Sequence, residues 1–215
     1  ITANGAGDTI TVVADALLNN ITLTQIGSAD QVVTGLVGDI SATALTGTLT
    51  VTTGDNTTDN GISISTGSND TTITASGAGD TITVNADQMA DDTTLDINGS
   101  ASFTVSNLEA DTDAAGGSGA LSITFSNITD DEAKLLSGSG NVVVNGGDVS
   151  DTVTVTGLTT NNQTFNAQDS TSNFNITAGA GNQTITGSNT GNDSIDGGSG
   201  YDTLSYAGGN TIDLT

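Results

Sequence analysis

The C-terminal end of the chain repeats a short unit, rich in Gly, Asn and Asp, whose residue types suit a hard cation. From Gly179 the sequence reads GAGNQTIT, GSNTGNDSID, GGSGYDTLSY and AGGNTIDL. Glycine allows a tight turn that aims its carbonyl oxygens inward, and the Asp or Asn near the end of each turn adds a side-chain oxygen. Calcium takes six to eight oxygen ligands at about 2.3–2.6 Å. These turns are therefore predicted to bind calcium.

The candidate calcium ligands come from three successive turns, and isolated Gly-Asp turns elsewhere supply further candidates. Gly-Asn-Asp turns are also common without any ion, so a purely structural role remains the alternative. Asn182 and Gln183 stand where an acid is expected, and the second turn carries an inserted residue. One or two occupied sites are therefore expected. The candidates are Gly179, Gly181, Asn182, Gly191, Asn192, Asp193, Gly197, Gly198, Gly200 and Asp202, with Asp8, Asp80 and Asp151 as the further ones.

One unit, Gly197–Ser205, fits the pattern G-G-x-G-x-D-x-U-x at every position, where U is a large apolar residue. In this the chain resembles the RTX family, the nonapeptide calcium-binding repeats of bacterial type I secreted proteins. The resemblance is strong over Gly179–Tyr206, about an eighth of the chain. It implies that two units form one coil and that Ca²⁺ sits between turns one coil apart. The turn at Gly197–Asp202 would then stack on Gly179–Asn182, with Thr190–Asp193 on the opposite edge.

Internal repeats predict the elements that hold these turns. The segment ITANGAGDTITVVAD at Ile1–Asp15 recurs as ITASGAGDTITVNAD at Ile73–Asp87, 72 residues later. A third copy begins at Ile176, and a weaker echo covers Gly146–Gly157. Each copy joins a Gly-rich turn to a strand in which Ile or Val alternates with Thr, so the apolar residues share one face. Because one such strand buries too little apolar surface to be stable alone, stacked copies are expected.

The predicted fold is all-β: a parallel β-solenoid, or β-roll, with one or a few short helices. Segments 1–72, 73–145, 146–178 and 179–215 are taken as successive repeat regions of one continuous solenoid, itself part of a longer chain. The 72-residue spacing equals four coils of eighteen residues. Ile10 and Ile82 are therefore expected at equivalent inward positions.

The helix predictions depend on local signals. Thr129 and Glu132 have capping-box spacing, and Gly138 follows a pair of leucines. A helix is therefore predicted near Thr129–Leu136, with both leucines packed on the core and Lys134 exposed. Single helical turns are considered for Ala14–Asn19 and Ala86–Asp92.

The composition excludes several classes of function. The chain has 25 acidic residues against one basic residue and a formal net charge of −24, which argues against nucleic acid and anionic membranes as partners. Nearly all the acids are Asp, which favours turns and hard cations; adaptation to high salt is the alternative. Without His or Cys the chain lacks the usual catalytic bases and thiols, and it is predicted not to be an enzyme. No apolar run approaches the ~20 residues of a membrane span.

These features lead to one function hypothesis and two alternatives. The chain is expected to be a structural, calcium-binding segment of an extracellular bacterial surface or matrix protein, such as an S-layer, adhesin or surface fibre. Its expected partner is itself, in a homo-oligomer, lattice or filament, with cell-surface polysaccharide as a further candidate. The alternatives are an adhesin or carbohydrate-binding module, and the accessory repeat domain of a secreted enzyme whose catalytic part lies elsewhere.

Overall fold

The computed structural model describes residues 1–18, 21–54, 61–75, 77, 79–126, 132–146 and 151–205. These residues form 21 short strands joined by turns. In chain order the strands are β1 (Thr2–Ala3), β2 (Thr9–Val13), β3 (Thr22–Gly27), β4 (Asp30–Leu36), β5 (Asp39–Leu45), β6 (Leu49–Thr53), β7 (Ile62–Ser65), β8 (Thr71–Ala75), β9 (Thr81–Asn85), β10 (Thr94–Gly99), β11 (Ser102–Leu108), β12 (Asp111–Asp113), β13 (Leu121–Phe125), β14 (Glu132–Leu136), β15 (Val142–Gly146), β16 (Thr152–Leu158), β17 (Thr164–Asn166), β18 (Asn173–Ala178), β19 (Thr184–Thr186), β20 (Ser194–Asp196) and β21 (Thr203–Ser205).

Alternate strands belong to different sheets. The odd-numbered strands form an 11-stranded sheet, here the odd sheet, and the even-numbered strands form a 10-stranded sheet, the even sheet. Within each sheet, every strand runs parallel to its neighbours, and each coil contributes one strand to each sheet. The fold is a parallel β-solenoid, as predicted, and it is compatible with an RTX-like β-roll. Turns from odd to even strands lie along one edge, the odd-to-even edge; the return turns form the even-to-odd edge.

The core lies between the two sheets and follows the period-2 alternation of the strands. In β9, Ile82 and Val84 are fully buried while Thr81 and Thr83 are exposed. The same alternation recurs from coil to coil, so the buried residues form one continuous cluster along the solenoid. Phe165 and Phe174 face each other from opposite sheets, with ring centroids 5.8 Å apart at 69°. This edge-to-face arrangement is a favourable geometry for aromatic pairs.

The coils do not have a constant length of eighteen residues. Register partners one coil apart are separated by 17 residues at Thr22 and Asp39, and by as many as 24 elsewhere. The 72-residue repeat therefore spans three and a half coils, from β2 to β9. Ile10 lies half-buried in the even sheet, whereas Ile82 is buried in the odd sheet. The prediction of equivalent positions was wrong, because turn lengths vary while each strand keeps its own alternation.

The helix prediction near Thr129–Leu136 was also wrong where it can be compared. Residues 127–131 lie outside the described residues, and Glu132–Leu136 is a strand. Leu135 is buried, Leu136 is partly exposed, and Lys134 points outward as expected, with its Nζ 3.4 Å from Asp111. Pairing with β12 and β16 satisfies this backbone on both sides. That pairing overrides the local capping signal.

No α-helix occurs in the described ranges, and the two predicted helical turns are ordinary turns wherever they are described. Consistent with this, the part of the chain that the structure describes contains no helix long and apolar enough to cross a membrane.

Candidate metal-binding turns

The two most motif-like turns stack on each other along the even-to-odd edge, as the resemblance implies. One turn joins β18 to β19, and the other joins β20 to β21 one coil later. The Ser199 N–H donates to the Gly179 carbonyl at 3.0 Å, and the Gly181 N–H donates to the Ser199 carbonyl at 2.9 Å. The loop that contains Asp193 lies on the opposite edge. Of the candidate turns, this stacked pair is the one whose arrangement matches an ion-binding position between two coils.

The glycines of this pair are required by conformation and by close approach. Gly198 and Gly200 have φ angles of 72° and 144°, which glycine adopts at little cost. A Cβ on either residue would also collide with a carbonyl oxygen of the coil below, that of Gly179 or Gly181. The motif glycines therefore let two backbones stack closely, whether or not an ion is bound.

Many Asp and Asn side chains at strand starts share one structural role, which is to accept a backbone N–H from the following coil. A side-chain Oδ1 in the turn before a strand, or at its first residue, meets a donor one coil later. This continues hydrogen bonding between coils into the turns, where the β ladder has ended. The pairs, at 2.7–3.0 Å, are Thr48 to Asp30, Ser63 to Asp39, Thr94 to Asp70, Lys134 to Asp111, Thr164 to Asn141, Asn182 to Asn161, Asn192 to Asn173 and Tyr201 to Asn182.

Asp202 and Gln183 make the stacked turns the best fit to a cation. Asp202 Oδ1 accepts the Gln183 backbone N–H at 2.8 Å. The Gln183 side chain is 2% exposed, its Nε2 donates to the Ala180 carbonyl, and its Oε1 has no hydrogen-bond partner among the described residues. A carboxylate and an unpaired buried amide oxygen are both ligand types that a hard cation accepts. In these stacked turns the Asp202 carboxylate would hold calcium, with turn carbonyls as further ligands.

The Asp193 carboxylate is buried and accepts hydrogen bonds from several donors of the protein itself. It is 4% exposed. Its Oδ1 accepts the Phe174 N–H at 3.0 Å, and its Oδ2 accepts the Ser188 N–H at 2.7 Å. The Ser188 hydroxyl lies 3.0 Å from both oxygens. A calcium ion at this turn would compete with these donors for the same carboxylate.

Burial raises the pKa of the Asp193 carboxyl above its ordinary value, and the donors from Phe174 and Ser188 oppose that shift in part. Since the folded-state pKa lies above the unfolded one, protonation favours the folded state. This contribution to stability is fully present below the unfolded pKa and is lost as the pH rises through the folded pKa.

A pH series should reveal this linkage. As the pH falls from 7 to about 4, the wild type should gain stability relative to Asp193→Asn, because only the wild type takes up a proton at this position. Denaturant unfolding of both proteins in chelator measures the difference at each pH. If the free energy of unfolding of the wild type minus that of Asp193→Asn stays constant or falls as the pH is lowered, the assignment is contradicted.

The structure does not bring the three outlying candidates together. Asp8 is exposed on the odd-to-even edge. Asp80 lies on the opposite edge, and its buried Oδ2 has no partner among the described residues. Asp151 is fully buried, on the same edge as Asp8 but several coils away. Any ion at these turns would bind to separate sites.

Sequence reasoning missed the buried glutamines. Gln163 is 2% exposed, and its Nε2 donates to the Gly138 and Gly140 carbonyls at 2.9 and 2.7 Å, and to the Ser137 hydroxyl. It ties its turn to the previous coil as a backbone group would. The signal was present in the sequence: Asn-Gln-Thr immediately precedes the apolar residue of both β17 and β19.

Groups of three or more acidic side chains that could hold a metal do not occur within the described residues, so any ion there depends on amide and carbonyl oxygens as well. Comparison of the chain with models of protein families, with curated proteins and with solved structures finds no match.

Proposed function

We propose that this chain is a structural repeat segment of a secreted bacterial surface or extracellular-matrix protein, with calcium stabilising its coils. The observation that carries the proposal is the stacked pair of Gly-rich turns before β19 and β21, where the Asp202 carboxylate accepts the Gln183 backbone N–H of the coil below. A solenoid of many similar coils suits a structural role because it extends by repetition.

The charge of the chain supports a need for cations. With a formal net charge of −24, folding brings many carboxylates closer together, and self-repulsion opposes the compact state. An ion that binds only the folded state adds stability according to the ratio of its concentration to its Kd. For a site with a Kd of about 10⁻⁴–10⁻³ M, millimolar calcium contributes on the order of 1 kcal/mol.

The aromatic residues favour a structural role over carbohydrate binding. Sugar-binding surfaces commonly stack an exposed aromatic ring on the ligand. All four phenylalanines, Phe103, Phe125, Phe165 and Phe174, are buried, and Tyr201 is the one exposed aromatic side chain among the described residues. Tyr206 lies outside the described residues. A single tyrosine at a turn does not make a platform.

The test combines calcium binding with a matched pair of variants. Isothermal calorimetry should show calcium binding to the wild type and clearly weaker binding to Asp202→Ala. Asp169→Ala should bind as the wild type does, because Asp169 is an exposed acid outside the stacked turns and its loss changes the net charge equally. Hydrogen exchange should show calcium-dependent protection concentrated in residues 179–205.

Two results would count against the proposal. Equal calcium binding by wild type and Asp202→Ala would remove this site. Exchange rates in residues 179–205 that are the same in calcium and in chelator would leave these turns as structural turns without an ion.

A further inference from the structure

The two sheets differ sharply in charge. Within the described strands, the odd sheet contains one ionisable side chain, Asp39, whereas the even sheet contains seven. The seven are Asp30, Asp96, Asp111, Asp113, Glu132, Lys134 and Asp196. In a chain with 25 acids, the odd sheet is thus a face from which charge is nearly absent.

Hydroxyl and amide side chains occupy the outward positions of the odd sheet, and they align from strand to strand. Thr83 pairs in register with Thr104, which pairs with Ser122. Farther along, Thr164, Thr184 and Thr203 are aligned in the same way. We call the outward side chains of the odd strands the hydroxyl face.

Two further features describe this face. Its one carboxylate among the described strands, Asp39, lies at the first residue of β5 and accepts the Ser63 backbone N–H at 2.9 Å. Val143, in β15, and Ile26, in β3, both lie on the odd sheet and are each 38% exposed. Threonine methyl groups add apolar surface between the hydroxyls.

Electrostatics decides which surfaces of two copies can meet. Two chains of net charge −24 repel each other, and the penalty is greatest where carboxylates are brought together and lose water. Most of the acids in the described part of the chain lie in turns on the edges, and the even sheet carries acids on its strands. Contact through the hydroxyl face keeps the acids of both copies at the periphery, where salt screens them over about 8 Å at physiological ionic strength.

The face is large enough for a specific interface. Eleven strands at a spacing of about 4.8 Å span roughly 48 Å. Their lengths vary from two to seven residues, and a typical length of about three to five residues corresponds to a width of about 10–16 Å. The face thus covers roughly 500–800 Å² per copy, or about 1,000–1,500 Å² in total, where a biological interface should exceed about 1,000 Å².

We infer that the hydroxyl face packs against the same face of a second copy, forming a two-layer contact between solenoids. This inference rests on the proposed structural function and names the surface through which such a protein meets itself. The interface is isologous, so each side chain contributes twice. Because peripheral acids still repel, the association strengthens as ionic strength rises.

The experiment compares self-association of two double variants of the full chain in millimolar calcium. Thr83→Asp with Thr104→Asp places two charges at neighbouring positions of the hydroxyl face. Thr50→Asp with Thr72→Asp places two charges at neighbouring positions of the even sheet. Sedimentation velocity over a range of protein and salt concentrations measures the dimer Kd. We expect the first variant to weaken dimerisation at least about tenfold, because its charges lie within the interface, and the second to leave the Kd within about twofold. Both variants change the net charge equally, so a difference between them reports the location of the charges.

Unaltered circular dichroism and melting temperature establish that both variants are folded. Equal weakening by the two variants, or a wild type that is monomeric at every concentration and salt tested, would overturn the inference. So would a monomeric wild type that is retained on an insoluble neutral polysaccharide through Thr83 and Thr104, since the face would then belong to a glycan. Dimerisation that is unchanged in chelator would show that pairing through the hydroxyl face does not need calcium. The calcium proposal is tested independently at Asp202.

Discussion

Replacing Asp193 with alanine is expected to lower the free energy of unfolding by about 2–5 kcal/mol, because it leaves buried donors without an acceptor. The Phe174 and Ser188 N–H groups and the Ser188 hydroxyl all donate to this carboxylate. Ser188 is itself fully buried and also accepts the Gly191 N–H, so the loop before β20 depends on this acceptor. Denaturant unfolding followed by circular dichroism measures the change.

Asp196→Ala is the matched control for this loss. Asp196 accepts a single exposed hydrogen bond, from the Gly198 N–H at 2.8 Å, where water can replace the carboxylate. Its removal should cost no more than about 1 kcal/mol. A loss at Asp193 as small as that at Asp196 would show that the buried donors find other partners.

Replacing Gly140 with alanine is expected to destabilise the chain by about 3 kcal/mol, and more if the coils cannot move apart. A Cβ at Gly140 would collide with the Gly119 carbonyl oxygen of the coil below, and one at Gly119 would collide with the Ala101 carbonyl oxygen. Backbone, rather than a movable side chain, is the obstacle. Unfolding in denaturant at fixed calcium measures the effect.

Gly7→Ala separates this collision from backbone strain. Gly7 has a φ of 84°, yet a Cβ there would meet nothing within 4 Å. Its replacement should cost only the left-handed conformation, about 1–2 kcal/mol. A Gly140→Ala variant that is no less stable than Gly7→Ala would mean that the coils are packed more loosely than the structure describes.

The candidate site was only partly predictable from its residues. The glycine turns and Asp202 follow from the nonapeptide pattern, because positive φ and a turn-ending carboxylate are local requirements. What Asp193 does was not predictable, since its Phe174 donor is one coil earlier in the chain. The same holds for Gln183, whose side-chain Nε2 donates to the Thr160 carbonyl of the previous coil as well as to Ala180 in its own turn.

By itself the sequence determined the strands, their inward and outward faces and the parallel stacking, because alternation such as that of Thr9–Val13 and the Gly-rich turns act over a few residues. Only the tertiary structure decided the length of each coil, the edge on which each copy of the motif lies and the strand at Glu132–Leu136. These depend on which backbone groups find partners across coils. Such pairing joins residues that are far apart in the sequence. Because the loops between strands vary in length, local sequence patterns do not determine which residues pair.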